Sequence, residues 1–281
     1  MTKRKIKKMV QGQRTIDGAG VHLVRVLSNR TVEEFDPFLM LDSFDSENPK
    51  DYIAGFPTHP HRGIETVTYL IEGEIDHEDS MGNKGKIRAH ESQWMTAGSG
   101  IMHQEMPQKS ERMLGFQLWL NLPQKDKMTN PAYNTLERKD IPQIEEEYAT
   151  IRVLSGNYHA KAQGFEPKYV QADIWDIDLK PNQSFTIDTI PSNTAFLFLM
   201  QGGLSVDDQI IPNKTAVLFG EGDCIEVRAG DEGARFAYFS GARLNESIAW
   251  GGPIVMNTRE ELSKAFEELE AGTFIKYKTT I

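Results

Sequence analysis

Apolar residues in this chain fall in short runs, several of them alternating with polar positions. "GVHLVRVL" (20–27), "ETVTYLIEGEID" (65–76), "MLGFQLWLNL" (113–122), "IWDIDLKPNQSFTI" (174–187), "TAFLFLMQGGLSV" (194–206), "TAVLFGEGDCIEV" (215–227) and "ARFAYFSG" (234–241) read as strands. Turn residues cluster between them, in "DSMGNKG" (79–85), "KPNQ" (180–183) and "AGDEG" (229–233). Many short strands with few helices predict an all-β barrel or sandwich. One helix is expected over about 258–271. Thr258 and Glu261 have capping-box spacing, Leu262, Phe266 and Leu269 form one apolar stripe, and Gly272 is a stop signal. "TFIKYKT" (273–279) reads as a closing strand or a tail.

A polar stretch, residues 121–147, interrupts the strand pattern and reads as an inter-domain connection. The halves echo each other: "VTYLIEGEI" (67–75) resembles "FLFLMQGGL" (196–204), with Gly73 and Gly202 aligned at an offset of 129. A duplicated small barrel, divided as 1–135 and 136–281, fits the length.

Charge narrows the partners. The formal net charge of −10 argues against direct nucleic-acid binding, which needs a basic surface. The single cysteine, Cys224, permits no intrachain disulfide and is expected to be a small buried side chain, which suits a reducing cytoplasm. The basic start "MTKRKIKKMV" has no apolar region after it, so it reads as a solvated end or the start of a strand rather than a secretory signal. No apolar run approaches the roughly 20 residues that span a bilayer.

Five of the seven histidines lie between 59 and 103. His59 and His61, in "HPHRGIE", are two residues apart; so are His103 and Glu105, in "IMHQEMP". Residues i and i+2 of a strand share a face, about 6.6 Å apart, and neighbouring strands lie about 4.8 Å apart. Two such pairs on adjacent strands would bring three imidazoles and a carboxylate to one ion. That donor set suits Fe, Ni, Cu, Mn or Zn. Glu65 would lie about 13 Å beyond His61 on an uninterrupted strand, so it reaches the ion only if the chain bends at Gly63. Arg62 should point away from His61, towards a salt bridge or a partner. His77 and His90 flank a turn and are expected to be exposed; His22 and His159 have no partner in sequence. Trp94 and Trp119 are expected in the core. "GSG" (98–100) reads as a turn that lets the chain approach the site.

"HPHRGIETVTYLIEGEIDHEDSMGN" and "QWMTAGSGIMHQEMP" together resemble the pirin family of bicupins, and "AWGGPIVMNTREELSKAF" is similar to that family's C-terminal signature. The resemblance covers nearly the whole chain. It implies two tandem cupin β-barrels (double-stranded β-helices) with a short C-terminal helix. It implies one divalent metal in the first barrel, held by His59, His61, His103 and Glu105, with Glu105 replacing Glu65, which is a ligand in many other cupins. Fe(II) is the first candidate; Ni, Cu, Mn, Zn and Co are the alternatives. At the offset of 129 the counterparts of the four ligands are Asp188, Ile190, Glu232 and Ala234, so the second barrel is expected to hold no comparable metal.

Two functions follow from the resemblance. One is a metal-dependent quercetin 2,3-dioxygenase, cleaving a flavonol ring with O2 and releasing CO, with Glu105 as general base. The other is a metal- or redox-responsive regulator acting through protein partners in transcription or metabolism. A monomer in the cytoplasm is expected in either case.

Overall fold

The predicted strands form curved antiparallel sheets. The computed structural model describes residues 1–277. They group into two compact units, neither of them a continuous stretch. The N-terminal barrel comprises Arg14–Asn29, Phe38–Arg138 and the chain from Leu244 onward; the C-terminal barrel comprises Met1–Gln13, Arg30–Pro37 and Lys139–Arg243. This grouping crosses over halfway within the expected connection, but departs from a division into 1–135 and 136–281 at both ends of the chain. The reason is non-local edge pairing. The strand Ile6–Gln11, which is the basic start of the sequence, pairs with Thr215–Phe219. A short hairpin, Ala249–Gly251 with Ile254–Met256, bridges to Arg62 through Ile254.

The N-terminal barrel has a seven-stranded and a four-stranded sheet. In the larger, Ile64–Glu72 lies between Ser92–Thr96 and Met113–Asn121, and Phe38–Ser46 follows. In the smaller, the order is Phe56–His61, Ile101–Pro107, Ile75–Asp79 and Lys84–Ile87. An apolar cluster of Leu23, Phe44, Leu70, Ile75, Ile87 and Met113 closes part of its interior. The stretch 121–147 is not a bare linker. Ala132–Leu136 pairs with Ser92–Thr96 in the N-terminal barrel, and Gln143–Glu145 pairs with Ala149–Ser155 in the C-terminal one.

The C-terminal barrel is built on a nine-stranded sheet, with a separate two-stranded pair, Asn157–Tyr158 and Ala162–Gln163. Its longest strand, Cys224–Gly241, runs straight through "AGDEG", which the sequence marks as a turn. The glycines there serve a bulge: Gly233 adopts φ +82°, a left-handed conformation, opposite the register irregularity at Gly202.

The helix Arg259–Glu270 forms as expected, with the reciprocal Thr258–Glu261 capping box in place. Leu262 and Leu269 pack on Ile254, Met256, Ala265 and Phe274, whereas Phe266 stays partly exposed. Residues 273–277 form no strand, and the end of "TFIKYKT" lies outside the described residues. Among the described residues no helix is long and apolar enough to cross a membrane.

Candidate metal centre in the N-terminal barrel

Strands Phe56–His61 and Ile101–Pro107 are antiparallel neighbours, with His59 directly opposite His103. Alternation along the second strand buries Ile101, His103, Glu105 and Pro107 and leaves the residues between them half-buried. A register shift between His103 and Glu105 marks a bulge at the site. One ring nitrogen from each of His59, His61 and His103 lies within 4.8 Å of the other two. No other such group of His, Cys, Asp or Glu occurs among the described residues.

The tautomers can be argued from the partners. His59 Nδ1 lies 2.9 Å from the Pro57 carbonyl oxygen, and His61 Nδ1 lies 3.1 Å from that of Pro253. A carbonyl oxygen only accepts, so both Nδ1 atoms carry the proton and donate. The two Nε2 atoms then face each other, 3.1 Å apart, as lone pairs. Burial, and then the neighbouring His59, push the His61 pKa down to about 3, so at neutral pH His61 Nε2 carries no proton of its own. His103 is buried with neither ring nitrogen hydrogen-bonded, and burial holds its pKa well below the usual histidine range. Converging lone pairs and an orphaned imidazole are costly unless a cation sits between them. Two ligands at about 2.1 Å from one ion, subtending roughly 95°, would be separated by the observed 3.1 Å. The residues fit a divalent transition metal.

Glu105 lies outside the three-nitrogen group. Its carboxylate accepts from Thr68 Oγ1 at 3.1 Å and from Gln117 Nε2 at 3.0 and 2.8 Å. It still lines the same cavity as His59 and His61. Glu65 is elsewhere. The chain turns at Gly63 (φ +77°), where a Cβ would come within 1.9 Å of the Val255 carbonyl oxygen, and enters the other sheet. There the Glu65 carboxyl accepts from Thr96 Oγ1 at 2.7 Å, and burial raises its pKa to about 7.

Arg62, next to His61, is buried. It donates to the Ser99 and Phe274 carbonyls, pairs with Glu268 at 2.8 Å and stacks over the Phe274 ring. Lys127 is also buried and donates to Gly63 O, Asn121 Oδ1 and Val255 O. Burial pushes its pKa down to about 7, but three acceptors around one ammonium favour the charged form. These contacts fasten the C-terminal hairpin and helix behind the histidine strand. The "GSG" turn contributes through Ser99 O, with Gly98 and Gly100 both at positive φ.

A cavity of about 670 Å³ opens onto the histidines, walled by Trp119, Trp250, Phe56 and Met40. At its rim Arg25 is held by both Asp42 oxygens, at 2.9 and 2.7 Å, and by Asp17 at 2.6 Å. Trp119 is therefore a wall of the cavity as well as a core residue. Trp250 and Pro253 fall within the C-terminal signature, which assigns them no role at the site; Gln117 carries no motif, and only the alternation of "GFQLWL" places it and Trp119 on one face.

Of the other histidines, His77 is buried, contrary to the expected exposure. Its strand lies inside the four-stranded sheet with Glu105 as cross-strand partner, and its ring stacks on Tyr133 at 4.8 Å. His90 occupies a left-handed position and is half-buried. His22 and His159 are largely exposed, near Asp51 and Asp188. Of the second-half counterparts, Asp188, Ile190 and Glu232 are exposed and Ala234 is buried.

Comparison with known proteins agrees over the full length. Residues 20–120 match the Pirin family model, and residues 174–275 match that of the Pirin C-terminal cupin domain. A pirin-like protein of Caulobacter vibrioides is 40% identical over 277 residues, covering 98% of this chain and 100% of the relative. A Pseudomonas aeruginosa protein named "Putative quercetin 2,3-dioxygenase" is 39% identical, covering 96% of this chain and 97% of its own. The crystal structure of quercetin 2,3-dioxygenase from Acinetobacter baumannii superposes with a TM-score of 0.88 at 33% identity, covering 97% of this chain and 98% of that one. The chain belongs to the pirin family and has its two-cupin, mainly β fold.

Proposed function

We propose that this chain is a metal-dependent dioxygenase that cleaves a flavonol ring with O2 and releases CO. The observation that carries this reading is the three-histidine cluster, two of whose members, His59 and His61, line an aromatic-walled cavity of about 670 Å³. That volume lies within the usual range for small-molecule sites. The names of the Pseudomonas and Acinetobacter proteins support the reaction class.

His59, His61 and His103 would hold the ion, with Fe(II) as first candidate and Glu105 in reach as a fourth ligand. When bound, the metal supplies Lewis acidity that favours ionisation of an aromatic hydroxyl. The protein's own part follows from the contacts. Pro57 and Pro253 fix the tautomers of His59 and His61, so that both Nε2 lone pairs point inward. Trp119 and Trp250, 5.8 Å apart between ring centroids, offer flat faces to a planar ring system. Glu105 lines the cavity with Thr68 and Gln117 as hydrogen-bond partners, and it would be the group to take the proton of the flavonol 3-hydroxyl. The two carboxylates around Arg25 leave the rim net negative, which suits a neutral polyphenol better than an acid.

The test is metal analysis of protein purified without added ions, followed by an aerobic quercetin assay that monitors CO. Metal content near one ion per chain, with CO release in proportion to quercetin consumed, is the expected result. Metal uptake without any CO would sink the enzymatic reading and favour the regulator.

A further inference from the structure

Arg25 reaches the cavity from the seven-stranded sheet, whereas His59 and His61 reach it from the four-stranded one. A guanidinium has five N–H donors. Three of those on Arg25 are committed. Nε donates to Asp42 Oδ1 at 2.9 Å, and Nη2 donates to Asp42 Oδ2 at 2.7 Å and to Asp17 Oδ2 at 2.6 Å. Both carboxylates are themselves held in place. Asp42 is buried and is the cross-strand partner of Arg25. Asp17 Oδ1 accepts from Gly18 N at 2.7 Å. One edge of the fork is therefore locked by two fixed anions, and the two hydrogens on Nη1 have no partner among the described residues.

A charged donor left free at a concave, aromatic-walled site calls for an oxygen acceptor on a ligand. The surroundings choose the charge of that ligand. Arg25 is outnumbered by its two carboxylates, so an incoming anion meets two like charges. A neutral hydroxyl or carbonyl gains a charge-assisted hydrogen bond without that repulsion. The fork is also rigid before binding, so little ordering is lost when the bond forms.

We propose that Arg25 is a specificity-determining residue whose Nη1 donates to a neutral oxygen on the part of an aromatic substrate that lies away from the metal. The inference rests on the flavonol reading above and adds a second point of recognition to it. With the 3-hydroxyl and 4-carbonyl turned to the histidines, the oxygens left to meet Arg25 are the hydroxyls of the outer rings. Aromatic burial against Trp119 and Trp250 holds any flat ring system; the Arg25 contact selects one that carries oxygen at the far end.

The test is equilibrium dialysis of the full-length protein, loaded with Fe(II) and kept free of O2, against two flavonols. Quercetin carries outer-ring hydroxyls; 3-hydroxyflavone keeps the 3-hydroxyl and the 4-carbonyl and has none of them. Arg25→Lys leaves a cation beside Asp42 but removes the planar fork. It should weaken quercetin binding about 10-fold, the scale of one hydrogen bond to a charged group, and leave 3-hydroxyflavone binding unchanged. If that variant fails to fold, the double variant Arg25→Met with Asp42→Asn leaves no buried charge unpaired, and the same selective loss is expected. An equal loss for both flavonols, as a purely structural role would give, overturns the proposal, and so does no loss for either. A parent protein that binds neither flavonol overturns the flavonol reading and this inference together. A parent that shows the selective loss but releases no CO in air overturns the dioxygenase assignment alone, and the role of Arg25 stands.

Discussion

The two barrels are built from similar curved antiparallel sheets, but only the N-terminal one adds a buried polar cluster to its apolar filling. The N-terminal barrel buries His61, Glu65, Thr68, Gln93, Thr96, His103 and Glu105. The C-terminal barrel buries Ile151, Ile177, Leu197, Leu199, Val217, Phe236 and Tyr238 in one continuous apolar cluster. Its one fully buried carboxylate, Asp176, is clamped by Arg235 at 2.9 Å, with Arg152 nearby. The apolar filling stabilises its barrel directly, because its aliphatic and Phe side chains leave water without losing a hydrogen bond. The polar filling costs stability wherever a group lacks a partner, as His103 does. One barrel is thus a closed apolar core, and the other buries polar groups, His103 among them, that lack hydrogen-bond partners.

That contrast can be broken most severely at His103. His103→Ala should abolish metal uptake and CO release together, seen by elemental analysis and the quercetin assay. Full turnover by this variant, shown to be metal-free, would end the assignment. The reverse effect is expected in the other barrel. Leu199→Ala removes a fully buried side chain and should lower stability by about 2–5 kcal/mol in urea unfolding, with metal affinity unchanged. A drop in metal affinity there would show that the apolar barrel is not an independent store of stability.

Glu65 sharpens the comparison through pH. Its folded pKa of about 7 is raised above the ordinary carboxyl value of 4.5. A raised pKa means that its contribution is fully present below pH 4.5 and is lost as pH rises through 7. Glu65→Gln should therefore raise stability by up to about 3 kcal/mol at pH 8 and change little at pH 4. Thermal unfolding at the two pH values checks this; an equal gain at both would show that burial of the charge is not the cause. The smallest effect is expected at the edge of the polar barrel's unit. Thr258→Ala removes the helix cap, whose Oγ1 accepts from Glu261 N, and should cost about 1 kcal/mol.

Part of this picture was legible in the sequence. The i, i+2 spacing of His59/His61 and His103/Glu105 is a local signal, and a strand converts it directly into a shared face. The capping box is local too. Other features are set by pairing between distant segments, which leaves no local period. Nothing near residue 250 announces that Trp250 walls the cavity or that Pro253 orients His61. Nothing near residue 77 announces that its strand is interior to a sheet. Glycines are ambiguous for the same reason: "AGDEG" and a tight turn share a composition, and only the partner strand turns the former into a bulge.

His61 and the carbonyl that sets its tautomer are separated by 192 residues. During synthesis, at about 5–20 residues per second, His61 leaves the ribosome roughly 10–40 s before Pro253 does. Throughout that interval its imidazole has no fixed tautomer, and the cavity lacks its Trp250 wall. On the metal reading, the ordered site would form only once the hairpin carrying Pro253 docks. Metal selection would then be a matter of timing as well as affinity: ions captured early meet a flexible chelator, and those captured late meet the ordered cluster.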